Sequence, residues 1–209
     1  MPDLLRGDTS RATERVLRGY RIAEENDYSY VTAMATMIGG WLGGREGRAD
    51  PVDEIEVGLS AFRATGAEIV VPYFETLRAE LLIERQRPDE AVGVLEDARS
   101  RIARWGERWQ EAEVWRVEAK ALAARNDAHS VVEARFMTAL DIAAKQGAFG
   151  WQLRAATDFA SYLCHQRRPD DARSILEPAR AAVEGGADSE DVSRADRILS
   201  AAKEQLLVG

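Results

Sequence analysis

Reactive side chains are scarce in this chain. It has one cysteine, Cys164, and two histidines, His129 and His165. Cys164 and His165 are adjacent, and in other settings a Cys/His pair supplies a thiolate nucleophile or two metal ligands. Neighbouring residues on a helix face different ways, the other histidine lies in a different segment, and no HExxH or cysteine cluster is present. The plainer reading is two unrelated helix residues. Three nearby acids, Glu111, Glu113 and Glu118, have the chemistry of a general acid/base pair. Alongside Arg108, Arg116 and Lys120 they read more plainly as a solvated, ion-paired helix face. The run GGWLGG at 39–44 lacks the Lys-Ser/Thr of a phosphate loop. It is either a close-approach or hinge site, or Gly39 packing against a neighbour while Gly43-Gly44 end a helix early. No nucleophile–base or metal-ligand set converges, so the expectation is no enzyme, no cofactor and no metal.

The elements that would position such residues show themselves as a repeat. Gly39, Ala79, Ala119 and Ala160 recur 40 or 41 residues apart, each followed three residues later by a leucine: Leu42, Leu82, Leu122, Leu163. A second series, Gly58, Ala98, Ala139 and Ala179, has Ile55, Leu95, Phe136 and Leu176 three residues before it. A third, Gly66, Gly106, Gly147 and Gly186, marks segment ends. Each unit reads as two helices, A and B. Apolar residues such as Phe74, Leu77, Leu81 and Leu82 keep helical spacing in an A helix. Pro51, Pro88 and Pro169 open B helices, where the missing N–H costs nothing, and Asp50 is expected to cap the first of them. The third B helix should start near Asp127 or Ser130. The terminal glycines fit helix ends that need a left-handed residue.

Small residues where helices cross, with large ones a turn away, are a tetratricopeptide-like pattern, here with a period of about 40 rather than 34. The fold expected is all-α, a right-handed α-solenoid of helical hairpins. Residues 1–209 form one domain: a leading half repeat at 9–27, repeats at about 28–66, 67–106, 107–147 and 148–187, and a closing helix at 189–207 with Ser189 as its cap. Ala12, Val16 and Gly19 match the B register, and Asn26-Asp27 stands where later units have their glycine. The chain thus begins with a B helix lacking its A helix, which leaves an N-terminal edge open, for instance for residues 10–44 to pack against a second copy.

In such an array the A helices line a concave groove. Counting from the small-residue position, the groove residues are Ala33, Thr36 and Gly40, then Tyr73, Thr76 and Glu80, then Glu113, Arg116 and Lys120, then Arg154, Thr157 and Ser161. That stripe has one aromatic and three cations. It reads either as a clamp for an acidic peptide or carboxylate, or as an ordinary charged surface with internal Glu113–Arg116 and Glu113–Arg154 pairs. The tryptophans at 41, 105, 109, 115 and 151 read mostly as packing residues, with Trp109 and Trp151 partly exposed.

The composition narrows the partners. With 36 acidic against 28 basic residues the formal charge is −8, which disfavours nucleic acid and anionic membranes. No apolar run approaches the roughly 20 residues of a membrane span, and no signal-peptide core opens the chain. With one cysteine, a reducing cytoplasm is the default.

Residues 105–164 resemble the C-terminal repeats of bacterial signal-transduction ATPases fused to class III adenylate or guanylate cyclase domains, or to helix-turn-helix output domains. The resemblance is carried by Gly106-Glu107-Arg108, Ala112-Glu113, Arg116, Ala139-Leu140, Ala143, Gln146-Gly147-Ala148 and Leu153-Arg154-Ala155-Ala156. Gly40-Trp41, and Ala64-Thr65-Gly66-Ala67-Glu68 before Pro72-Tyr73-Phe74, extend it toward the N-terminus. It implies a regulatory arm that senses a protein, peptide or ligand, without the ATPase phosphate loop or cyclase carboxylates. The chain would be an excised region or a free-standing version of that arm. A homodimerisation scaffold using the N-terminal edge is the alternative.

Overall fold

The structure, a computed structural model, describes residues 9–48, 50–183 and 189–208. Ten α-helices and no strands occur among the described residues. They are α1 (Thr9–Glu25), α2 (Ser29–Arg45), α3 (Pro51–Ala64), α4 (Val71–Glu84), α5 (Pro88–Trp105), α6 (Glu111–Ala124), α7 (His129–Lys145), α8 (Phe149–His165), α9 (Pro169–Ala181) and α10 (Glu190–Val208). The protein is all-α. None of these helices is long and apolar enough to cross a membrane.

The chain forms two compact units, Met1–Glu107 and Arg108–Gly209, divided one residue after the 106/107 boundary between the second and third sequence repeats. In the first, α2 pairs with α3 and α4 with α5, α1 packs on α2, and α4 also touches α2 and α3. In the second, α6 pairs with α7 and α8 with α9, α7 lies against α8, α6 packs on α8, and α10 packs on α8 and α9.

Local chemistry explains the boundaries. Pro51, Pro88 and Pro169 are the first residues of α3, α5 and α9, each followed by acids in the first turn that suit the positive helix end. Asp50 departs from expectation: it adopts φ 56° and its side chain makes no capping hydrogen bond. Ser189 does cap, its Oγ accepting from the Val192 N–H at 3.3 Å. Between hairpins Asp27, Gly66, Gly106 and Gly147 are left-handed, as the terminal series implied, and so is Val70 just before α4; Gly186 lies outside the described residues. Within hairpins they are Gly47, Gln86, Asn126 and Arg167. There the next N–H reaches back into the helix, as in Arg87 N–H to Leu82 O and Gln86 N–H to Ile83 O, the paired pattern of a Schellman turn.

The small residues sit where backbones meet. Ala79, Ala98, Ala119, Ala139 and Ala160 are buried, beside Leu82, Leu95, Leu122, Phe136 and Leu163. Phe136 stacks on Phe159 with centroids 5.1 Å apart. In α2 the contact is made by Gly40: a Cβ there would lie 2.9 Å from the Ile55 backbone nitrogen and 3.0 Å from the Pro51 carbonyl. Gly39 has only the Glu54 side chain near it, so the tight helix contact sits one residue later than the sequence series suggested.

Candidate interaction surfaces

Most of the polar stripe expected to line a groove is inside the protein. In the first unit Tyr73 and Thr76 are buried, the Thr76 hydroxyl donates to the Pro72 carbonyl at 2.7 Å, and Glu80 is part-exposed. Gly40 is a packing residue, Ala33 is buried and Thr36 is part-exposed. In the second unit Glu113, Arg116 and Thr157 are buried, and Lys120, Arg154 and Ser161 are part-exposed. The Thr157 hydroxyl donates to the Leu153 carbonyl of its own helix.

The charged members form a ladder through α6, α8 and α10. Arg116 donates to both Glu113 oxygens at 2.8 Å and to Asp158 Oδ2 at 2.5 Å. Arg154 on α8 donates to Glu113 at 3.2 Å and to Asp191 of α10 at 2.9 Å. Arg194 of α10 donates to Asp158 Oδ1, and Lys120 Nζ stands 4.0 Å from Oδ2. Polarity alternates from helix to helix: acid then arginine on α6, arginine then acid on α8, acid then arginine on α10. Burial would raise the Asp158 carboxyl, but Lys120, Arg116 and Arg194 together hold it well below the usual range. Both pairs named from the sequence, Glu113–Arg116 and Glu113–Arg154, are present. They belong to a network buried at Glu113, Arg116 and Asp158 and part-exposed at Arg154, Asp191 and Arg194; Asp158, Asp191 and Arg194, which the sequence reading passed over, close it from the neighbouring helices. The signal was there: residues of opposite sign recur in α6, α8 and the closing helix α10.

A second buried charge lies in the first unit and had not been singled out. Glu75 on α4 accepts from Arg63 of α3 at 2.5 Å, and Arg101 Nε of α5 lies 3.2 Å from the same oxygen, Oε1. Its other oxygen, Oε2, is buried without a hydrogen bond. Burial raises the Glu75 carboxyl to about 7 despite the attraction of Arg101 and Arg63. Around it, Arg78 and Arg63 pair with Glu56, and Arg101 pairs with Glu68.

The other reactive candidates stay apart. Cys164 is buried, and burial raises its thiol; His165 is exposed and hydrogen-bonds the Ser161 carbonyl. His129 Nδ1 lies 2.5 Å from the Tyr162 hydroxyl. Of the three acids, Glu111 pairs with Arg108 near the surface, whereas Glu113 and Glu118 are buried, Glu118 against Arg135. The face is ion-paired as expected but not solvated. GGWLGG does not end its helix, which continues to Arg45. Gly43 gives room to the Arg48 guanidinium, which donates to the Gly39 carbonyl at 2.6 Å, and Gly44 gives room to Leu81.

Exposure is concentrated elsewhere. None of the five tryptophans is buried; Trp105 and Trp109 are exposed, and Trp109 lies 6.4 Å from Trp151. In the first unit Tyr28, Tyr30 and Val31 at the start of α2 and Ile69 just before α4 face solvent, as do Leu17 and Ile22 of α1. In the second unit Trp109 just before α6 and Phe149 at the start of α8 do the same. A cleft of about 630 Å³ opens among Ala23, Asp27, Thr32, Ala33, Val57 and Gly58. Compared with known proteins, the chain matches no family model, no curated protein and no solved structure.

Proposed function

We propose that this chain is a protein-interaction or sensor module, the regulatory-arm type of a bacterial signalling ATPase or cyclase. Its hairpins are read as a right-handed, tetratricopeptide-like α-solenoid with a period of about 40 residues. Packing of A helix on A helix (α2 with α4, α6 with α8), with the closing helix α10 on α8, supports that architecture.

One observation carries the interaction reading. Large apolar side chains stand in water where A helices begin: Tyr28 and Tyr30, Ile69, Trp109 and Phe149. Scattered apolar residues are normal on a surface, but these recur at one place in hairpin after hairpin. Aromatic side chains of this kind anchor protein interfaces. The groove retains Glu80, Lys120, Arg154 and Ser161 as part-exposed residues, and Lys120 and Arg154 already face carboxylates. These observations support the A-helix starts of each unit, rather than the polar stripe, as the interacting residues.

The test is capture of a partner from lysate of the source organism. Wild type is compared with Ile69→Ser/Phe149→Ser and with Lys120→Ala/Ser161→Ala, folding being checked by circular dichroism. Loss with the first pair and retention with the second is expected. Retention by the first pair and loss by the second would return the site to the groove, and no specific capture would sink the reading. A second copy of the chain is the alternative partner, favoured by Leu17 and Ile22 standing 60% and 48% exposed on α1. Sedimentation of wild type against Leu17→Ser/Ile22→Ser decides it.

A further inference from the structure

The cleft beside α1, α2 and α3 has the chemistry of a receptor for one kind of side chain. Its walls are small and apolar: Ala23 from α1, Ala33 from α2, and Val57, Gly58 and Ala61 from α3. Ala33, with no side chain beyond Cβ, is one of the lining residues from α2. At Gly58 a Cβ would come within 2.8 Å of the Met37 backbone nitrogen and 3.0 Å of the Ala33 carbonyl, so the floor is closed to larger residues. A volume of about 630 Å³ falls within the range of working binding clefts.

Its polar side chains are the Asp27 carboxylate and the hydroxyls of Ser29, Thr32 and Thr36. Thr32 Oγ1 donates its proton to the Tyr28 carbonyl at 3.2 Å, and Thr36 Oγ1 donates to the Thr32 carbonyl at 3.0 Å. Both hydroxyl oxygens keep lone pairs for an incoming donor. Among the described residues, Asp27 is the one ionisable residue in the lining, and no ion pair engages it. Tyr28 stands beside it, exposed. Acceptors around one carboxylate, above an apolar channel, suit a group with several donors, a positive charge and a methylene stem.

We propose that this cleft receives a lysine or arginine side chain of a protein partner, its stem along Ala23, Ala33 and Gly58 and its charged head at Asp27. The proposal rests on the interaction reading above and gives its partner a sign. Charge complementarity favours it. The cations once expected to attract an acidic partner, Arg116, Lys120 and Arg154, already face Glu113, Asp158 and Asp191, and the chain as a whole carries −8.

The test uses two synthetic 16-residue amphipathic peptides, one of Leu and Lys, the other with every Lys replaced by Glu. Both are titrated into the full chain by calorimetry at low and moderate salt. Asp27 has φ 54°, and asparagine tolerates that conformation, so Asp27→Asn removes the charge and keeps the turn. Ala61→Phe adds a ring to the cleft wall. The Lys peptide should bind at least about tenfold more tightly than the Glu peptide, lose about tenfold in Asp27→Asn, and fail to bind Ala61→Phe, with both variants folded by circular dichroism. Equal affinity for the two peptides, no binding of the Lys peptide, or unchanged binding in both variants would overturn the proposal. In the lysate experiment, a partner lost by Ile69→Ser/Phe149→Ser but kept by Asp27→Asn and Ala61→Phe would sink this inference alone. Absence of any specific partner would sink the reading beneath it.

Discussion

Replacing Arg116 with methionine separates the two uses a sequence could assign to it. A groove arginine presented to a ligand makes little difference to the isolated protein, since exposed ion pairs contribute about 0–1 kcal/mol. The structure gives Arg116 a different setting: a side chain 4% exposed, donating to both oxygens of Glu113 and to Asp158, with those carboxylates each 3% exposed. Methionine approximates the stem but leaves two buried carboxylates short of a partner. Breaking a buried pair in this way costs about 3–5 kcal/mol. Glu113 keeps Arg154, and Asp158 keeps Arg194 and Lys120, so the lower end, about 3 kcal/mol, is the expected loss. In a unit of about 100 residues that corresponds to a drop in melting temperature of roughly 12–24 °C. Calorimetry and guanidinium melts at neutral pH measure it. A loss under about 1 kcal/mol would refute the buried-ladder account and restore Arg116 to the surface.

The same variant has a pH signature. A carboxyl held low in the folded state contributes stability that is present above its unfolded value, about 3.9, and is lost as pH falls through the folded one. Wild type should therefore keep the Asp158 contribution until strongly acid pH. Removal of Arg116 takes away one of three nearby cations, and the loss should begin at higher pH.

Glu75 should behave in the opposite sense. Its carboxyl is raised to about 7, so the folded state holds the proton more tightly and stability falls as pH rises from about 4.5 to 7. Glu75→Gln should raise the melting temperature at pH 8 more than at pH 5, the difference approaching about 3 kcal/mol. Equal effects at both pH values would contradict it. Gly40→Ala should destabilise by about 1–3 kcal/mol, because the added methyl meets the Ile55 and Pro51 backbone. Gly43→Ala meets only the Arg48 side chain, which can move, so urea melts should show a change within about 1 kcal/mol. Gln86→Gly should stabilise by up to about 1 kcal/mol in the same assay, since Gln86 sits exposed at φ 59°.

The helix plan was legible because its signals are local. Proline opens α3, α5 and α9, and glycine at 66, 106 and 147 turns the chain, through conformational preferences those residues carry by themselves. The turns inside the hairpins were not, because Gln86, Asn126 and Arg167 take the left-handed conformation under the control of the Schellman hydrogen bonds, and nothing in a glutamine or an arginine announces it. The same limit explains the polar stripe. Reading one helix at a time finds Glu113 and Arg116 on a face but cannot say what stands opposite.

The opposite groups, Asp158 and Arg154 on α8 and Asp191 and Arg194 on α10, were in the sequence with reversed sign. What brings them within hydrogen-bond reach is the other pattern, the small residues. Ala119 and Ala160 are fully buried, and with no side chain beyond Cβ they allow close approach at α6 and α8, where Asp158 meets Arg116. The small-residue series and the polar stripe, read as scaffold and site, are thus parts of one packing solution. Close helices exclude water from the stripe, and exclusion requires each charge to find its partner within the chain. The residues outside that solution are the exposed starts of the A helices, Tyr28, Tyr30, Ile69, Trp109 and Phe149, and the lining of the cleft at Asp27, and the interaction reading proposed above rests on them.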